Sequence, residues 1–121
     1  MQCPVLLQNK NKGLPIDPNI SNLAVIGALG DDPENQIGCW AGDGRPQDSI
    51  TPLTSLKAAM TKTKITFAKG YKDAQSLDKS LFAEAIAAAN QSNKILLFLG
   101  ENNDLSGESH SRAYIGLPGV Q

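Results

Sequence analysis

The chain has 121 residues, 40% of them hydrophobic and 19% charged, with a formal net charge of -1; that is enough for one modest core and at most one domain. Such a balance offers no basic field to hold nucleic acid or an anionic membrane surface. No apolar run approaches the roughly 20 residues that span a bilayer, and the opening "MQCPVLLQNK" lacks the charged start and long apolar centre of a signal peptide.

In chain order, "PVLLQ" at residues 4–8 reads as a short segment packed at a sheet edge, followed by the turn-rich connector "NKNKGLPIDPN". "LAVIGAL" (Leu23 to Leu29) is the first strand candidate, and its nearly unbroken apolar character is that of a strand covered on both faces. It runs into the long segment "GDDPENQIGCWAGDGRPQD", which reads as functional or disordered because structureless connections beyond about 12–15 residues are uncommon. Thr51 is a good N-cap with Pro52 at the first helical position. Leu53, Leu56 and Met60 then recur on one face of a helix ending by Lys62. "KITFAKG" (Lys64 to Gly70) is the second strand. A second helix is predicted from about Lys79 to Gln91, capped by Asp78 or Ser76, with Leu81, Phe82, Ala85, Ile86 and Ala89 as its apolar stripe. "KILLFLG" (Lys94 to Gly100) is the third strand, again apolar enough to be covered on both faces.

Strand, helix, strand, helix, strand is the order of an α/β layer fold. The expected architecture is a three-layer sandwich, or part of one, with helices covering a mostly parallel sheet. Residues 1–21 would be edge segment and connector, and residues 22–121 a βαβαβ unit with its closing loop. In open parallel sheets the ligand crevice lies outside the carboxyl ends of the strands. Those ends feed "GDDPENQIGCWAGDGRPQD", "GYKDAQSLD" and "GENNDLSGESHSR", so all three loops should share one rim.

Several chemistries can be weighed on that rim. "GALGDD" is not GxGxxG, and its two aspartates stand where a phosphate needs amide donors, which argues against a nucleotide. Trp40, the only tryptophan, either plugs the core or, if exposed, offers a stacking surface to a sugar or another flat apolar face. His110 is the only histidine and "SGES" is not a nucleophile elbow, which argues against an esterase triad. Glu101 and Asp104 read as loop caps or solvated groups. Cys3 and Cys39 lack CxxC spacing and a histidine cluster, so no metal site is expected and both thiols are read as free.

"LGENNDLSGESHSR" followed by "IGLPGVQ" resembles the acid/base loop of glycoside hydrolase family 3, the β-glucosidases and their relatives, at the start of their second, α/β sandwich domain. The resemblance runs collinearly through almost the whole chain. "VLLQNKNKGLPIDP" is similar to that domain's opening segment, "LAVIGALGDDPENQIGCWAGDGRPQDSITPLTSLKAA" to its first strand, long loop and helix, and "ITFAKG" to its second strand. Gln8 departs from the lysine common at its position, and Ser111 from the aspartate that precedes the arginine in many relatives, which leaves open how the arginine is braced.

The resemblance implies a retaining β-glycosidase acting on a β-glucoside or oligosaccharide, without cofactor or metal. Glu108 in "SGES" takes the acid/base position. A carboxyl group there protonates the departing glycosidic oxygen and then, as carboxylate, deprotonates water, about 5–5.5 Å from a nucleophilic carboxylate. The resemblance places that nucleophile on a preceding TIM barrel of about 250 residues, so the isolated chain is expected to be an inactive half-domain. It also implies that Arg112 anchors the loop by pairing with a carboxylate or backbone carbonyls, and that Trp40 walls the aglycone side of the cleft. Family analogy favours a periplasmic or secreted protein, and an uncovered sheet edge would favour a homodimer. The competing reading is a non-catalytic α/β module that binds carbohydrate or a protein partner; a barrel-coding segment beside this one in the gene separates the two.

Overall fold

A computed structural model describes residues 4–121. Three parallel strands, β1 (Asn22–Ile26), β2 (Lys64–Ala68) and β3 (Lys94–Leu97), form one sheet in the order β2-β1-β3. A short α1 (Pro33–Ile37) stands in the segment after β1, α2 (Pro52–Ala59) joins β1 to β2, and α3 (Phe82–Asn90) joins β2 to β3. Among the described residues no helix is long and apolar enough to cross a membrane.

The chain steps from β1 to one neighbour and then back across β1 to the other. Crossovers of one hand that run in opposite directions over a sheet must use opposite faces, and the packing has this form. Leu23 and Val25 face Leu53 and Met60 of the α2 layer, while Ala24, Ile26 and Ala68 face Ala85 and Ala88 of α3. The result is the expected three-layer α/β arrangement with β1 fully covered at its centre. Thr51 caps α2 by accepting a hydrogen bond from the Thr54 N–H at 3.2 Å, and its own hydroxyl donates to Asp31 Oδ1 at 2.7 Å. Alanines at the contact face of α3 let the helix lie close on the sheet.

Several details differ from expectation. Residues 4–8 form no strand, and Val5, Leu6 and Leu7 are exposed rather than packed at an edge. β1 stops at Ile26 because Gly27 turns the chain into a 3-10 turn over Ala28–Asp31. The long segment after β1 is only partly irregular: it holds that turn, α1 and a second 3-10 turn at Pro46–Asp48, where Arg45 pairs with Asp48 at 2.7 Å, and residues 38–45 between them are turns and loop. α3 begins at Phe82 without a side-chain cap, since Asp78 and Ser76 spend their oxygens on local turns, accepting from the N–H groups of Ser80 and Asp78. Ile86 lies off the buried stripe and is exposed; Ala88 takes the buried place.

The largest departure is β3. Ile95 and Leu97 are 51% and 57% exposed, so only the face carrying Leu96 and Phe98 is covered. In register, Ile95 and Leu97 sit beside Ala24 and Ile26 on the α3 side, but α3 packs mainly over β1 and β2 and leaves Leu97 lining an open apolar depression with Phe82 and Ala85. Cys3 and its thiol lie outside the described residues.

Candidate active site

The strand order reverses at β1, and the crevice of an open parallel sheet belongs at such a reversal. There the segments following β1 and β3 are stapled together. Pro33 starts α1 and Asp32 caps it, accepting from the Asn35 N–H at 3.0 Å and from Asn35 Nδ2 at 2.6 Å. With its amide nitrogen so held, Asn35 turns Oδ1 toward the third loop and accepts from the Asn103 N–H at 2.7 Å. Asn103 Nδ2 in turn donates to the Glu34 carbonyl at 3.0 Å.

The third loop is tied at its ends and folded back on itself. Glu101 follows the end of β3 closely, and its carboxylate is paired with the guanidinium of Arg112; a second Arg112 nitrogen, Nη2, donates to the Gly116 carbonyl at 2.7 Å. Between these ends a 3-10 turn covers Asn103–Leu105, and His110 Nδ1 donates to the Asp104 carbonyl at 2.7 Å. The His110 N–H closes a turn onto the Gly107 carbonyl at 3.2 Å, and Glu108 stands exposed inside that turn.

Two adjoining depressions open between the loops. One, of about 420 Å³, runs from Asn35 past Trp40 to Glu101 and Asn102. The other, of about 380 Å³, is lined by Cys39, Trp40, Asp104, Glu108 and His110. Trp40 is 73% exposed, which overturns the core-plug alternative. Glu108 and Trp40 therefore share one concave surface, whereas Arg112 lies at the loop's base outside both linings. Cys39 is a free, exposed thiol, lying so close to Gly107 that a Cβ there would meet its Sγ at 3.2 Å.

The loop after β2 shares the rim but lines neither depression. It supports the end of β3: the buried Tyr71 hydroxyl donates to the Phe98 carbonyl at 2.7 Å, and burial pushes that hydroxyl's pKa up. The same loop is closed by Lys72 on Asp78 at 2.7 Å. The ammonium, with the Ser80 N–H and hydroxyl, holds the Asp78 carboxyl down to about 2. The Asn35 and Asn103 staple escapes a reading of the sequence, because a hydrogen bond between loops 68 residues apart has no period or spacing to reveal it.

Comparison with known proteins now has geometry to meet. The sequence profile described as Glycosyl hydrolase family 3 C-terminal domain matches residues 4–121. The chain is 28% identical to a periplasmic beta-glucosidase of Salmonella typhimurium, over 97% of this chain and 18% of that protein. It is 35% identical to a beta-xylosidase of Formosa agariphila, over 97% of this chain and 17% of that protein. Its fold superposes on the beta-glucosidase from Listeria innocua, solved in complex with glucose, with a TM-score of 0.77 and 29% identity, over 94% of this chain and 15% of that one. The chain thus spans less than a fifth of the length of each relative. A match across all the described residues, with the three-layer parallel fold to accompany it, means that the chain belongs to the glycosyl hydrolase family 3 C-terminal domain family.

Proposed function

We propose that this domain supplies the general acid/base of a retaining β-glycosidase, and that Glu108 is that residue. The observation that supports it best is the placement of Glu108: a carboxyl group held in a tied turn on the carboxyl rim of the sheet, sharing a depression with an exposed tryptophan. In this reading Glu108 gives its proton to the glycosidic oxygen as the bond to the sugar breaks. The sugar passes to a nucleophilic aspartate on a TIM-barrel domain of the same protein. Glu108, now a carboxylate, takes a proton from the water that releases the sugar. Trp40 stacks on the aglycone side, where a flat ring can cover an apolar sugar face. Arg112 acts at a distance by holding the loop through Glu101 and Gly116.

The substrate class is a β-linked glucoside or a near relative such as a β-xyloside, in line with the β-glucosidases and β-xylosidases that this chain resembles. By the same analogy the complete protein is periplasmic or secreted. The isolated 121-residue chain should be inactive, since double displacement needs a second carboxylate about 5–5.5 Å from the first. It should also pair with itself along β3, whose outer edge and bare Ile95 and Leu97 side chains invite a second strand.

Glu108 and Asp104 line the same depression, so substitution can separate them. In the complete protein, Glu108→Ala should cut hydrolysis of an unactivated β-glycoside by about 10²–10⁴-fold, while Asp104→Ala keeps most of the activity. The reverse pattern would transfer the role to Asp104.

A further inference from the structure

We propose that Gln121 is a positioning residue for the acid/base: its side-chain amide clasps the backbone of Gly100 and thereby fixes the root of the loop that carries Glu108. This rests on the reading of Glu108 given above. Gln121 Oε1 accepts from the Gly100 N–H at 2.8 Å, and Gln121 Nε2 donates to the Gly100 carbonyl at 2.8 Å. Both polar groups of one residue are thus paired by one side chain, as a neighbouring strand would pair them.

Gly100 needs such a partner. β3 ends at Leu97. The last backbone bond it makes to β1 is from the Phe98 N–H to the Ile26 carbonyl at 2.7 Å, and the Phe98 carbonyl is taken by Tyr71. Past that point the sheet offers Gly100 no ladder, and glycine is the residue with the least restraint on its backbone. Gly100 therefore sits at a natural hinge, directly before Glu101 and the Arg112 pair that close the Glu108 loop.

The clasp locks that hinge to the neighbouring loop. The other Gln121 Nε2 hydrogen goes to the Ala74 carbonyl at 3.1 Å, and the Val120 N–H donates to the Ser76 carbonyl at 3.0 Å. One amide therefore ties the loop after β2, the end of β3 and residues 118–121 into a unit. The Asn35 and Asn103 staple fixes the loop farther along. With the root released, Glu108 would swing about that remaining staple and miss the glycosidic oxygen. A displacement of about 1 Å can cost up to 10²-fold in rate.

Leaving-group dependence reads this directly, because a dinitrophenolate departs without a proton whereas a methylphenolate needs one. The measured quantity is the ratio of kcat/KM for a 4-methylphenyl β-glycoside to that for the 2,4-dinitrophenyl β-glycoside, in the complete enzyme. Misfolded protein cancels from the ratio, so a poorly folding variant still gives an answer. Gln121→Met keeps the side chain's length and removes its hydrogen bonds; the ratio should fall about tenfold. Gln121→Glu keeps an acceptor for the Gly100 N–H but sets a carboxylate oxygen against the Gly100 and Ala74 carbonyls, so its ratio should fall at least as far as that of Gln121→Met. Equal losses on both substrates, with the ratio within about twofold of wild type, would overturn the positioning role. Glu108→Ala, run alongside, separates the two proposals. If it collapses the ratio and Gln121→Met does not, the clasp proposal fails alone; if it leaves the ratio unchanged, the reading of Glu108 fails and the clasp proposal with it.

Discussion

Gly27 sits where the central strand gives way to the rim, at φ 115°, with the Phe98 carbonyl oxygen only 2.0 Å from where a Cβ would be. The neighbouring strand's exit can pass this close only because no side chain is there. Gly27→Ala should therefore cost about 3 kcal/mol or more through combined strain and overpacking, read as a lower urea midpoint of the isolated domain; a loss below about 1 kcal/mol would mean that β3 can move aside. Asp78 carries a different signal. Its carboxyl is held down to about 2 by Lys72 and Ser80, so what it adds to stability is present above its ordinary pKa and disappears as pH falls through about 2. An NMR titration of Asp78 should place it there in the native protein and move it back toward 3.8 in Lys72→Ala. Neither feature is legible in the sequence: the first depends on which backbone lies opposite Gly27, and the second on the loop path that brings Lys72 onto Asp78.

At the scale of elements, local chemistry predicts well where it is local. Thr51 and Pro52 specify the start of α2 to the residue and Leu53, Leu56 and Met60 its buried face, because cap, first turn and stripe all lie within ten positions; the helix ends at Ala59, with Met60 as its C-cap. Thr51→Ala should destabilise the domain by about 1–2 kcal/mol, with Thr51→Ser recovering most of it. The cost belongs to the upper part of that range because the Thr51 hydroxyl also holds Asp31, and no change in the unfolding midpoint would deny the cap any role. α3 shows the opposite case. Asp78 and Ser76 look like caps in the sequence, yet both close turns within the preceding loop and α3 starts later. Its alanine-rich face made Ile86 a reasonable core residue by spacing, but the sheet contact rotates onto Ala85 and Ala88.

For the whole molecule, strand number, parallel direction and the shared rim follow from the alternation of apolar runs and helices, whereas the position of each strand in the sheet does not. "KILLFLG" has the composition of a central strand and occupies an edge, with one face bare. Composition reports what a strand can bury, and the route of the crossover decides what covers it. The cleft follows the same rule: its place on the rim can be read from strand order, whereas Glu108 and Trp40 are expected in it only through the family resemblance, and the residues alone leave Trp40 open between core and surface. The asparagine staple and the Gln121 clasp that hold it are contacts between distant loops. Of the carboxyl groups on the assembled rim, Glu108 stands in the turn that His110 closes onto Gly107, and its chemical role can be isolated. In the complete enzyme, Glu108→Ala should still form the glycosyl-enzyme from a 2,4-dinitrophenyl β-glucoside, because that leaving group needs no acid, and then stall for want of a base. Added azide, which attacks without a base, should accelerate turnover by at least about tenfold and yield the β-glucosyl azide. Turnover that azide leaves unchanged, with no glucosyl azide formed, would contradict the assignment of Glu108 as the acid/base.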